Sequence, residues 1–484
     1  MINHSKLFTM IQPVFNRLFY CNLVHTYSQK KESQSMINKK LFTLTLFIVT
    51  VFACHAQIVS TGDINFPQWI QQSNIYEVNV RQYSPEGTFK AFEKSLPRLK
   101  EMGVEILWFM PITPISKTDR KGALGSYYAV ADYTAVNPEF GTLQDWKELV
   151  KKAHAMGFKV ITDWVANHSG ADNRWLKTNP DFYVRDKNGV AKYAFDWSDT
   201  RDLNYDNPVL KDSMIQAMKF WVAETGIDGF RCDVAAEVPR SFWQPCIEAL
   251  KKMKPDIFML AEANTAWIHD AGFNTTYGWN MFAKMKEVAA GKSSAKVLDT
   301  VLMQQDETFV PGAIKLYFTS NHDENSWNKS DYATFPGPSH APFAVLTQTM
   351  RASLPLIYSG QEEPYLDSLS FFYKDEITWG KYKRAAFYKT LLTERKNNPA
   401  LAVDAGYTKI ETTNDDKIFA YTRQKNNNKI LVVLNLSASP VVVSFKSAGI
   451  YGEVKEIFTD QMENITRQAT LSLPAWGYKV YRFL

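Results

Sequence analysis

The 484 residues carry a formal net charge of only +5, with 45% hydrophobic and 22% charged side chains. That length exceeds a usual single domain, the ordinary composition excludes wholesale disorder and a multi-span membrane protein, and the lack of a dense Lys/Arg run removes the electrostatic footprint of nucleic-acid binding. Four cysteines exclude a disulfide scaffold, and an aromatic content of 14% is the one departure from the ordinary.

In chain order, the first feature is a leader expected over residues 1–56. Met36 reads as its true start, Lys39 and Lys40 as a positive n-region, 41–53 as the apolar h-region and Ala56 as a small residue at the cleavage point. The apolar run is too short for a membrane helix of about 20 residues, so no transmembrane helix is expected in the mature chain. This predicts export to the periplasm or the extracellular space. The alternative is a lipid anchor through Cys54, since Val51-Phe52-Ala53-Cys54 loosely matches a lipobox. Cys232 and Cys246 then remain, read as buried thiols with a disulfide between them as the alternative.

Residues 57–400 alternate apolar runs with amphipathic helices. Strands are expected near 75–80, 104–110, 158–163, 227–233, 257–262, 271–277, 314–320 and 355–358. Gly103, Gly157 and Gly226 each stand just before a strand, where glycine ends a helix in the left-handed conformation. Count and rhythm predict a (β/α)8 TIM barrel. Residues 169–208, rich in Asp, Asn, Trp and Tyr, are too long for a plain loop and read as a short excursion after the third strand. From 401 to 484 the pattern becomes antiparallel, with strands expected near 409–411, 418–422, 430–436, 441–445, 452–458 and 478–483, the makings of a C-terminal β-sandwich domain.

Four apolar strands end in acids: Asp163, Asp233, Glu262 and Asp323. One acid at a strand end is commonly a helix N-cap. Four of them converging on the C-terminal face of a barrel, with Asn167, His168, Arg231 and His322 beside them, form a pocket in which crowded carboxylates cannot all be ionised. That is the environment in which a general acid is made beside an ionised carboxylate.

Asp163-Trp164-Val165-Ala166-Asn167-His168, Gly229-Phe230-Arg231-Cys232-Asp233, Ala261-Glu262-Ala263-Asn264 and Phe318-Thr319-Ser320-Asn321-His322-Asp323 resemble, in order and spacing, the four signature regions of glycoside hydrolase family 13, the α-amylase family. The resemblance implies that Asp233 is the nucleophile, Glu262 the general acid/base and Asp323 the acid stabilising the transition state, in retaining hydrolysis of α-1,4-glucosidic bonds in starch, maltodextrin or related α-glucans. It places Tyr128, His168, Arg231 and His322 on the substrate and makes Asp163 a structural support. Where many amylases carry a Lys-His pair after the nucleophile, this chain has Ala236 and Glu237, closer to the neopullulanase and cyclomaltodextrinase branch. No cofactor is implied for the chemistry. A structural Ca2+ stays open, with Asn167 and Asn204 as oxygen ligands. Transglycosylation on the same scaffold, and a non-catalytic glucan-binding protein, are the competing readings.

Overall fold

The computed structural model describes residues 66–484 apart from 329–333, 366 and 448. The leader expected over 1–56, with Cys54, lies outside the described residues. Among these, ten strands precede the C-terminal region: β1 (Ile75–Val78), β2 (Ile106–Phe109), β3 (Lys159–Trp164), β4 (His168–Gly170), β5 (Thr200–Asp202), β6 (Gly229–Cys232), β7 (Phe258–Ala261), β8 (Thr275–Tyr277), β9 (Ile314–Tyr317) and β10 (Ser353–Tyr358). All but β4 and β5 close into one parallel barrel, in the order β1-β10-β9-β8-β7-β6-β3-β2. The expected TIM barrel is therefore present. Its strands are buried along nearly their whole length because both faces are covered, by barrel interior and by helices.

Local signals set where each strand begins. The helix Leu143–Ala155 opens on a reciprocal capping box between Thr142 and Asp145. The helix Pro208–Thr225 opens on Asn207 with proline in its first turn, and ends on Gly226 at φ 71. Gly229 then starts β6 where a Cβ would stand 2.1 Å from the Phe258 carbonyl oxygen of β7, so only glycine allows that approach. The sixth barrel strand is shorter than expected, because residues 271–272 close the helix Trp267–Asp270 and Gly272 turns the chain at φ 107.

The excursion is rooted by β4 and β5, which pair antiparallel with His168 opposite Asp202. Tyr133 Oη donates to the His168 carbonyl at 2.7 Å and fastens this root to the barrel.

Beyond residue 401 run β11 (Gly406–Lys409), β12 (Ile418–Lys425), β13 (Asn428–Asn435), β14 (Val441–Ser444), β15 (Gly452–Glu456), β16 (Met462–Ile465), β17 (Thr470–Leu473) and β18 (Tyr478–Phe483). A six-stranded sheet, β11-β12-β13-β18-β15-β16, faces the pair β14-β17 over a small core that includes Leu431, Val433, Val443 and Leu473. β16 and β17 were not expected. At the seam with the barrel, buried Arg395 donates to the carbonyls of Ser73, Gln348 and Ser353, and buried Arg423 to those of Gly406, Thr349, Met350, Ala402 and Ala405.

Candidate active site

The C-terminal ends of β3, β6, β7 and β9 bring Asp163, Asp233, Glu262 and His322 around one buried guanidinium. Arg231 Nη1 donates to Asp163 Oδ1 at 2.9 Å and to Asp233 Oδ1 at 3.0 Å. Its Nε donates to Tyr277 Oη at 3.1 Å, and its Nη2 stands 3.1 Å from Glu262 Oε2 as an ion pair without hydrogen-bond alignment. Residue parity explains the arrangement: Arg231 and Asp233 are two apart and share a strand face. The next residue, Val234, sits at φ 35, a conformation rare for a β-branched side chain, and its N–H donates to Glu262 Oε2 at 2.8 Å. The acids are not acting as simple helix caps. At the end of β9 that task falls to Asn321, which accepts from Glu324 N, leaving Asp323 in the first turn of the helix His322–Trp327.

Electrostatics follow from burial. Loss of water lifts Asp233 well above the usual carboxylate range and Glu262 adds to this, against the pull of Arg231. Burial lifts Glu262 as well, and burial lifts Asp163 against Arg231 and His322. Three buried carboxyls thus compete for one guanidinium, and each is pushed toward its protonated form.

The two histidines are in opposite states. Burial alone pushes His168 down to about 3, so it is neutral; its Nε2 has no protein partner and its ring meets Trp197 edge-on at 5.2 Å. For His322 burial also opposes the charge, but Asp323 and Glu77 outweigh it and raise the pKa to about 9. As an imidazolium, His322 donates from Nδ1 to Glu77 Oε1 at 2.5 Å and from Nε2 to Tyr128 Oη at 2.7 Å, with Asp323 Oδ2 at 3.3 Å. Tyr128 Oη in turn donates a hydrogen bond to Asp163 Oδ2 at 3.1 Å, and its ring lies nearly parallel to His322 at 5.5 Å. Glu77 is the residue that sequence reasoning missed. Its signal was an acid inside the apolar run of β1, where it is fully buried.

The remaining expected residues are also placed. Asn167 is buried; its carbonyl accepts from Leu203 N at 3.2 Å, so Asn204 follows on the adjoining strand end, where its Oδ1 accepts from Asp206 N. Asp202 nearby is lifted by burial and by Glu237. Carboxylate and amide oxygens are the donor chemistry of a hard cation. Among the described residues, no three His, Cys, Asp or Glu side chains converge as a metal cage. Cys232 and Cys246 are free and buried, as expected of thiols.

Residues 64–197 and 190–429 match the family model "Alpha amylase, catalytic domain", and 407–480 match "Maltogenic Amylase, C-terminal domain". The chain is 26% identical to alpha-amylase MalA of Haloarcula japonica over 87% of its own length, spanning 64% of that protein. It is 22% identical to the maltogenic alpha-amylase of Bacillus acidopullulyticus, over 98% of this chain and 87% of that one. The crystal structure of the noncanonic maltogenic alpha-amylase AmyB from Thermotoga neapolitana superposes with a TM-score of 0.79 at 29% identity, covering 85% of this chain and 99% of that one. With both the barrel and the acid-bearing strand ends inside the matched residues, the chain belongs to the α-amylase family.

Proposed function

We propose that this chain hydrolyses α-1,4-glucosidic bonds of starch, maltodextrin or related α-glucans with retention of the anomeric configuration. The observation that supports it most is the pair Asp233 and Glu262 on either side of Arg231. The route needs Asp233 ionised, which the aligned hydrogen bond from Arg231 favours against burial, and Glu262 protonated, which its own burial favours. Glu262 donates that proton to the glycosidic oxygen as Asp233 attacks the anomeric carbon, breaking the C–O bond and forming a glycosyl ester. Water then attacks the same carbon, giving its proton to Glu262 and releasing Asp233. In this reading Asp323 and His322 hold sugar hydroxyls, and Asp323 opposes the positive charge that builds on the ring. His168 offers an unpartnered ring nitrogen to another hydroxyl, Tyr128 walls the pocket and Asp163 braces Arg231.

The match to a maltogenic C-terminal domain, together with Ala236 and Glu237, favours a second reading in which pullulan or cyclodextrins are also cleaved, or sugar replaces water as acceptor. Incubation with starch, maltotriose, pullulan and cyclodextrin, with product sizing and anomer detection by NMR, tests both. α-Anomeric maltooligosaccharides are expected; β-anomers first, or no cleavage of any of the four, would sink the main reading. Two further proposals rest on the sequence: export by the leader, checked by N-terminal sequencing of secreted protein, and a structural calcium ion at Asn167 and Asn204. That ion would pin the excursion to the barrel without entering the chemistry. Metal analysis and a melting scan in chelator should find it, and no metal with no shift in melting would remove it.

A further inference from the structure

Most tryptophans near the strand ends are walls: Trp108 and Trp164 are buried, and Trp279 packs on Tyr277 and Phe318. Trp327 is different. It is 56% exposed and lies four residues past Asp323, at the end of the helix His322–Trp327. A continuous run of rings joins it to the pocket. Tyr128 is parallel to Phe371 at 6.0 Å, Phe371 meets Trp327 at 5.1 Å, and Phe372 meets Trp327 at 5.6 Å.

The ring cluster is held in place from behind. Asn325 Oδ1 accepts from Leu369 N at 2.8 Å and Ser326 Oγ donates to the Leu369 carbonyl at 2.7 Å, which ties the helix to the loop carrying Phe371 and Phe372. Arg81 Nη1 donates to the Phe371 carbonyl, and Leu124 N to the Phe372 carbonyl at 3.0 Å. Gly122, at φ 63, passes so close that a Cβ would stand 2.6 Å from Phe372 Cβ. A large ring fixed by its surroundings yet left in water forfeits burial it would otherwise gain, which needs a reason.

We propose that Trp327, backed by Phe371 and Phe372, is a platform on which a glucosyl unit of the bound α-glucan stacks, outside the units at the scissile bond, so that it selects longer chains. The occupant is the substrate itself because the ring run is continuous with the pocket through Tyr128. A rigid ring also loses little entropy on binding. This rests on the function proposed above.

The test compares kcat/KM for maltoheptaose and maltotriose. In Trp327→Ala the heptaose-to-triose ratio should fall about tenfold, equivalent to about 1.4 kcal/mol, while Trp327→Phe keeps most of it. Titrating the Glu262→Gln protein with maltoheptaose should change tryptophan fluorescence, and adding Trp327→Ala should abolish that change. An unaltered ratio in Trp327→Ala overturns the platform, as does a native dimer that dissociates in the variant, since the patch would then be an interface. If the native enzyme cleaves neither sugar, the proposed function fails instead, and the fluorescence titration still decides the platform, no signal counting against it.

Discussion

Arg231 on one side, and Arg395 and Arg423 on the other, are all fully buried, yet they do opposite work. Arg231 faces carboxylates, and those acids hold its charge more firmly than in water even though burial opposes it. Arg395 and Arg423 face backbone carbonyls, and burial lowers them to about 9 and about 10. A guanidinium has five donors and no acceptor, so it can close the open carbonyls of several segments at one point. At the seam Arg423 ties the sheet to the barrel carbonyls of Thr349 and Met350, while Arg395 gathers barrel segments at Ser73, Gln348 and Ser353. In the pocket Arg231 gathers like charges that would otherwise repel, storing unfavourable energy that the reaction can use. Burial alone does not say which role an arginine has; the chemistry of its acceptors does.

The strongest way to break this contrast is Asp233→Asn. Turnover should drop by about four orders of magnitude, while the melting temperature holds or rises because one of the crowded charges has gone. Residual activity near the native level would mean that the nucleophile has been misassigned. Arg423→Ala should give the reverse picture. Stability should fall by about 3 kcal/mol from carbonyls left without donors, measured by denaturant unfolding, with kcat/KM per folded molecule unaltered. A loss of activity in the folded fraction would show that seam and pocket are coupled. The smallest expected effect belongs to Glu77→Gln. With His322 raised from 6.5 to about 9, its contribution to stability is complete below pH 6.5 and disappears as pH climbs through about 9. Activity that needs the imidazolium should share that basic limb. Removing the Glu77 charge should shift the limb down by roughly one pH unit, and an unmoved profile would show that Asp323 alone sets the charge.

The barrel was legible because most of its strands are largely apolar and several follow a helix stopped by glycine, as at Gly103 and Gly226. The acids were legible because they end those runs. Glu77 was not, since an acid in the middle of β1 reads as an interruption until β9 supplies His322. β16 and β17 escaped for a related reason: each is only four residues long with a single buried side chain, Ile465 or Leu473, and Met462 is turned outward. The seam was hidden because Arg395 and Arg423 bind main-chain oxygens, and any sequence offers those. Pocket geometry depended on pairings between distant segments, and periodicity carries no information about them.

The closure of the barrel bears on when this protein becomes an enzyme during its synthesis. β1 pairs with β10, Ile75 opposite Leu356, so the ring stays open until nearly the whole barrel has left the ribosome. Arg395 reaches back to Ser73 only after that. Contacts this distant in sequence form late and slowly. Because Glu77 lies on β1 and His322 follows β9, the charged histidine is assembled in the same event that seals the ring. A nascent chain cut short before β10 would carry Asp163, Asp233, Glu262 and Asp323 and still lack the closed wall that fixes His322 among them.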